Sequence, residues 1–150
     1  MVWGGISVQG KTDLHVFPNS NLTAQRYCDE VLDVYVRPCA GAIGPEFILT
    51  DANARPHRVP VTDAYLQRET IERMDWSARS PDLNPIEYVW DMLQAAISSR
   101  VNHPRSLQEL GTVLSEEWAS IQQNRMWDLI VSMRRRCCSV IDARRRHTRN

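Results

Sequence analysis

Gly5-Ile6-Ser7-Val8-Gln9-Gly10-Lys11-Thr12 spells G-x-x-x-x-G-K-[ST], the pattern of a loop that cradles nucleotide phosphates. In such a loop the lysine and threonine open a helix whose free N–H groups meet the phosphate. Here Thr12 to Phe17 alternates like a strand and runs into Pro18, so the residues read as a hairpin turn and no nucleotide is expected. Other side chains with chemical potential are dispersed. Asp51 follows the apolar run Phe47-Ile48-Leu49 and suits an Asx turn at a strand end. Glu87, third after Asn84, suits a helix start where it reaches back to the cap. His57 reads as a partly buried, hydrogen-bonding histidine. Arg134, Arg135, Arg136, Arg144, Arg145 and Arg146 could neutralise DNA phosphates, or equally suit the negative pole of a helix end.

The 150 residues are 43% apolar, enough for one ordinary domain. Formal neutrality hides a division. Residues 134–150 carry seven arginines against Asp142, a surplus of six, and the preceding residues carry six more acidic than basic side chains. Cys28, Cys39, Cys137 and Cys138 lack Cys-x-x-Cys spacing and a histidine pair, so neither a zinc site nor a disulfide framework is expected, and a reducing compartment is. No apolar run approaches the roughly 18–20 residues of a membrane span, and Met1-Val2-Trp3-Gly4-Gly5 lacks the regions of a signal peptide. A soluble intracellular protein, nuclear or cytoplasmic and without a membrane partner, is the expectation.

These residues need elements to position them. The pattern predicts a hairpin over 1–17 and a helix capped by Asn21 or Thr23, with Tyr27, Val31, Val34 and Tyr35 inward and its end at Arg37-Pro38, Gly41 and Gly44. Phe47 to Leu49 reads as a short buried strand, Val61 to Thr70 as a helix packing through Ala64, Tyr65 and Leu66, and Ile71 to Trp76 as a further strand. Asn84, Pro85 and Glu87 start a helix with the stripe Ile86, Val89, Trp90, Leu93 and Ile97. Ser106 and Glu109 form a capping box before Leu107, Leu110, Leu114, Trp118 and Ile121. A last helix from about Asn124 displays Met126, Leu129, Ile130, Met133, Cys137 and Val140. The order ββαβαβα with extra helices argues for α/β layers. The expected organisation is a single domain, 1–150, with a hairpin 1–17, a core 21–101, C-terminal helices 106–142 and a basic tail 134–150.

Val2-Trp3-Gly4-Gly5-Ile6-Ser7, the Gly10-Lys11-Thr12 turn, Asn53-Ala54-Arg55-Pro56-His57, Asp75-Trp76, Ala78-Arg79-Ser80-Pro81-Asp82-Leu83-Asn84-Pro85-Ile86-Glu87 and Trp90 follow in order over nearly the whole chain. Together they resemble the catalytic domain of Tc/mariner-type DNA transposases, the segment Ser80 to Glu87 most specifically. The resemblance implies an RNase H-like (ribonuclease H/integrase superfamily) α/β domain with extra C-terminal helices, truncated at the N-terminus and lacking the first central strand. It implies metal-dependent DNA cleavage and strand transfer in cut-and-paste transposition, with Mg²⁺ or Mn²⁺ as cofactor. Its implied partners are the DNA of transposon ends and a transposase homo-oligomer.

In that group three carboxylates hold two divalent ions, which activate the attacking oxygen and stabilise the leaving one. The third carboxylate maps onto Glu87 and the second onto Ala52, whose methyl offers no oxygen. Asp51 is the substitute to consider. Successive strand residues face opposite sides, however, and its spacing to Glu87 is thirty-five intervening residues against thirty-four from position 52. The first aspartate would stand on a strand preceding Val2-Trp3-Gly4-Gly5. Without that strand, either the hairpin pairs directly with the 47–51 strand or two edges stay open. A chain with lost catalysis is expected. The alternatives are a noncatalytic DNA-binding or transposase-associating protein, or a transposon remnant without a selected role.

Overall fold

The computed structural model describes residues 1–18, 21–51, 57–76 and 83–147, with side chains described as far as residue 143. Ala52 and the Asn53 to Pro56 stretch, Ser80 to Asp82, and the side chains of Arg144, Arg145 and Arg146 lie outside the described residues. The chain divides into two compact units, Met1–Trp3 with His15–Arg79, and Gly4–Leu14 with Ser80–Asn150. Each has its own apolar cluster.

In the first unit β1 (Val2–Trp3) pairs antiparallel with β2 (His15–Val16), Val2 opposite Val16 and Trp3 opposite His15. Thr23 caps the helix that follows, its hydroxyl accepting from the Arg26 amide at 3.2 Å. Of the end signals expected at Arg37-Pro38, Gly41 and Gly44, the first two are passed through and the last stops the helix. α1 (Ala24–Tyr27) passes into a π-helical stretch, Cys28–Val36, which passes into α2 (Arg37–Ile43). The Arg37 amide bonds to the Leu32 carbonyl, five residues back. This wider turn lets the chain take in Pro38, which has no N–H and would crowd the carbonyl four residues earlier. The helix stops instead at Gly44, whose φ of 80° favours glycine. The altered register also changes the buried face. Tyr27, Cys28, Val31, Leu32 and Val36 are buried, while Val34, expected inside, is 53% exposed.

β3 (Ile48–Leu49) and β4 (Glu72–Arg73) form a parallel pair, connected through α3 (Pro60–Arg68) as parallel strands require. β3 is not a fully buried strand, because Ile48 is 46% exposed between the half-buried Phe47 and Leu49. Thr62, Tyr65 and Leu66 are the buried residues of α3, and Ala64 faces outward. Among the described residues the two strand pairs are separate sheets, so the hairpin does not pair with β3. Trp3, Phe17, Phe47 and Leu49 nevertheless all pack on the cluster built around Tyr27, Val31 and Leu32.

The second unit contains the hairpin tip and four helices, α4 (Pro85–Ser98), α5 (Leu107–Ser120), α6 (Gln123–Val131) and α7 (Met133–His147). Asn84 caps α4 by accepting from the Ile86 amide at 3.3 Å, and Pro85 takes the first position, where a missing N–H costs nothing. Ser106 and Glu109 close a capping box on α5, the serine hydroxyl accepting from the Glu109 amide and the glutamate from the Arg105 amide. Leu107, at the first turn, points to solvent. The single last helix expected from Asn124 is two, broken at Ser132. Its hydroxyl donates to the Leu129 carbonyl at 2.7 Å and competes with the helical pattern there.

Candidate functional site

Asp51 lies two residues beyond β3, whose register places Arg73 directly opposite Leu49. Asp51 is 7% exposed and lies under two guanidinium groups. Arg58 donates to its Oδ1 at 3.2 Å, and Arg73 stands 4.0 Å from its Oδ2, an ion pair rather than a hydrogen bond. Arg73 donates at 2.7 Å to the His57 carbonyl and at 2.6 Å to the Asp63 carboxylate of α3. No local pattern in the sequence marks Arg58 or Arg73 as partners of Asp51, since one precedes α3 and the other stands on β4.

His57 is 8% exposed and stacks on Tyr27, ring centroids 4.2 Å apart. Contrary to the expected hydrogen-bonding histidine, its Nδ1 has no partner among the described residues, nor has Nε of Arg58. Stacking and the bond to its main-chain carbonyl hold it instead. Burial pushes the imidazole below its ordinary range, opposed by Asp51 and reinforced by Arg58 and Arg73. Burial likewise raises the Tyr27 phenol well above its usual range, with the Asp51 charge adding to it.

In the second unit Glu87 is half-buried in the first turn of α4, its amide bonded to the Asn84 carbonyl at 3.2 Å. The side chain does not reach back to the cap. Among the described residues no hydrogen bond or ion pair engages its carboxylate.

The phosphate-loop lookalike is a clasp. Ser7 and Gly10 close its turn, the Ser7 amide donating to the Gly10 carbonyl at 2.7 Å, and Thr12 Oγ1 accepts from the Gly5 amide at 2.9 Å. Lys11 Nζ donates to the carbonyls of Trp118, Ala119 and Ile121 at 2.6, 3.0 and 2.6 Å, satisfying the open end of α5. Burial lowers its pKa. Trp118 Nε1 donates to the Thr12 carbonyl at 2.7 Å, and its ring stacks on Trp90. A Cβ on Gly4 would fall 2.7 Å from the Trp118 ring, which is why glycine stands there.

Of the arginine groups, Arg134 and Arg135 on α7 are exposed. Arg136 turns inward, lying 4.7 Å from the Tyr88 ring centroid and donating to the Leu129 carbonyl at 3.0 Å. Its charge closes the break between α6 and α7.

Against known proteins, no protein-family profile matches the chain. It is 31% identical over 148 residues to the transposable element Tcb1 transposase of Caenorhabditis briggsae, covering 96% of this chain and 52% of that protein. It is 29% identical over 144 residues to the Tc3 transposase of Caenorhabditis elegans, covering 94% and 43%. The catalytic domain of Mos1 mariner transposase superposes with a TM-score of 0.72 at 19% identity, over 88% of this chain and 66% of that one. Other Mos1 structures similar to this chain include the catalytic domain with Raltegravir and Mg or Mn, and a paired-end complex with the left transposon end.

The fold is therefore RNase H-like, that of a transposase catalytic domain. The chain belongs to the Tc/mariner-type DDE transposase family. It spans about half the length of the curated relatives it matches.

The residues described do not fit a divalent metal centre. Asp51 is neutralised by guanidinium groups, and no group of three or more His, Cys, Asp or Glu among the described residues could hold an ion.

Proposed function

We propose that this chain is a Tc/mariner transposase catalytic-domain relative that associates with DNA and has lost metal-dependent cleavage and strand transfer. The observation that carries the reading is the state of Asp51. Position 52 has a methyl where the family expects a carboxylate, and the adjacent acid is buried under Arg58 and Arg73. Magnesium demands oxygens with free lone pairs at near-octahedral positions, which a carboxylate shared between two guanidinium groups does not offer. The test is direct. Purified chain incubated with Mg²⁺ or Mn²⁺ and transposon-end DNA is expected neither to nick nor to join it. Metal-dependent strand transfer by the unmodified chain would overturn the reading.

The remaining DNA affinity is assigned to α7, where Arg134 and Arg135 have exposed side chains without a hydrogen-bond or ion-pair partner among the described residues. Each phosphate contact contributes roughly 0.9 to the slope of log affinity against log salt. Neutralising Arg134 and Arg135 should lower that slope by roughly 1.8. An unchanged slope would remove Arg134 and Arg135 as phosphate contacts. Association with a second transposase chain, and residence in the nucleus or cytoplasm, complete the proposal. Four free cysteines support a reducing compartment.

A further inference from the structure

Trp127 alone among the five tryptophans is exposed, at 49%. Trp3 lies against Tyr35, Trp90 and Trp118 stack on each other, and Trp76 is half-buried. Trp127 makes no hydrogen bond or ring contact among the described residues, and Met126 and Leu129 carry the packed side of α6. The fold therefore does not need this indole.

Ser132 divides α6 from α7, yet its φ of −67° and ψ of −13° stay helical. Its amide donates to the Asp128 carbonyl at 3.0 Å and its carbonyl accepts from the Arg136 amide at 3.1 Å, so the helical count carries across. Trp127, Val131, Arg134 and Cys138 then recur at i, i+4, i+7 and i+11, which is one helix face. All four are exposed, with the exposed Arg135 and Asp128 beside them and Asp142 a turn further on. Arg134 stands roughly 10 Å along the axis from Trp127. A flat aromatic ring next to two unpaired guanidinium groups matches a nucleic-acid strand with open bases, the ring stacking on a base and the cations meeting neighbouring phosphates. Duplex DNA offers the phosphates but keeps its base faces stacked inside. A second copy of this chain is a poor occupant, because a two-fold contact would set the same arginines against each other.

We propose, resting on the DNA association assigned to α7 above, that the α6–α7 face is a site for unpaired DNA. Trp127 stacks on a base while Arg134 and Arg135 hold the adjoining phosphates, so the chain prefers a single strand to a duplex.

The experiment is a fluorescence-anisotropy titration of the full chain with a labelled thymidine oligonucleotide and with a GC-rich duplex of the same length, over a range of salt. Native protein is compared with Trp127→Ala, Trp127→Phe, Trp127→Leu and the double variant Arg134→Gln with Arg135→Gln, each also followed by thermal unfolding and sedimentation equilibrium. Trp127→Ala should weaken single-strand binding roughly 5- to 150-fold and duplex binding by less than about twofold, with an unchanged salt slope. Trp127→Phe should recover most of the loss and Trp127→Leu little, since stacking needs a ring. That comparison decides the matter even where Trp127→Ala lowers the unfolding temperature. Single-strand affinity within about twofold of native in Trp127→Ala overturns the stacking role, as does an equal loss on the duplex or rescue by Trp127→Leu. It is also overturned if Trp127→Ala dissociates a dimer and leaves single-strand affinity as it was, which makes the face a contact between copies. In each of these cases DNA association through α7 stands as long as the double arginine variant lowers the salt slope. Native protein that binds neither DNA overturns both.

Discussion

Asp51 in the first unit lies two residues past β3, 7% exposed beneath two guanidinium groups, whereas Glu87 in the second sits half-buried in the first turn of α4 with no partner among the described residues. Glu87 is the carboxylate that the family resemblance offers as a metal ligand, and Asp51 is the substitute considered for the one missing at position 52. The difference teaches what a burial site does to such a group. A carboxylate taken out of water must be paired, and once paired its lone pairs are committed. Asp51 is therefore spent on holding the first unit together. Glu87 costs little to keep, and its oxygens stay available.

The largest test of this contrast is Asp51→Ala, which leaves Arg58 and Arg73 facing each other without their shared anion. Breaking such a pair costs about 3–5 kcal/mol, so thermal unfolding should fall by roughly 6 °C or more. A loss below about 1 kcal/mol would mean that Asp51 is as dispensable as Glu87, and the comparison fails. Gly4→Ala attacks the second unit where it is dense. The new methyl meets a Trp118 ring pinned by Trp90 and by the Thr12 carbonyl, and about 1–3 kcal/mol of stability should be lost in urea unfolding. A neutral result would show that the clasp yields more easily than its geometry implies.

Acid should next separate the two units. Burial holds His57 below its ordinary range in the folded chain, so above about pH 6.5 it is neutral whether folded or unfolded and contributes no pH dependence. As pH falls through that value the unfolded chain takes a proton that the folded chain refuses, and stability is lost on the acid side. The urea midpoint should therefore drop more between pH 7.5 and 5.5 in the native protein than in His57→Phe, which keeps the stack on Tyr27. Equal drops would remove His57 as the cause. The smallest effect expected is that of Glu87→Gln, a loss within about 0.3–1 kcal/mol from the helix pole.

Much of the frame was legible because its signals are local. Thr23, Asn84 and Ser106 cap the helices that their spacing announces, and the strand and helix order follows the alternation of periods. The strand-like run after the phosphate-loop match implies a hairpin, and those residues form one. What escaped depends on distance or on register. Val34 looked inward on a 3.6-residue period, and the π-helical stretch ahead of Pro38 rotated it out. The pairing of Asp51 with Arg58 and Arg73 rests on a parallel strand pair whose register no short motif encodes. Of the expected site residues, Arg136 shows the limit best. Composition gave it to a basic run, and packing against Tyr88 took it out of that run.

The clasp of Lys11 on the end of α5 joins groups 107 residues apart in sequence. A ribosome adding roughly 5–20 residues per second needs on the order of 5–20 s between making the lysine and making its acceptors. Throughout that interval the hairpin tip has no Trp118 to close on. The second unit therefore closes late relative to the synthesis of its own hairpin, whose tip must wait for the end of α5.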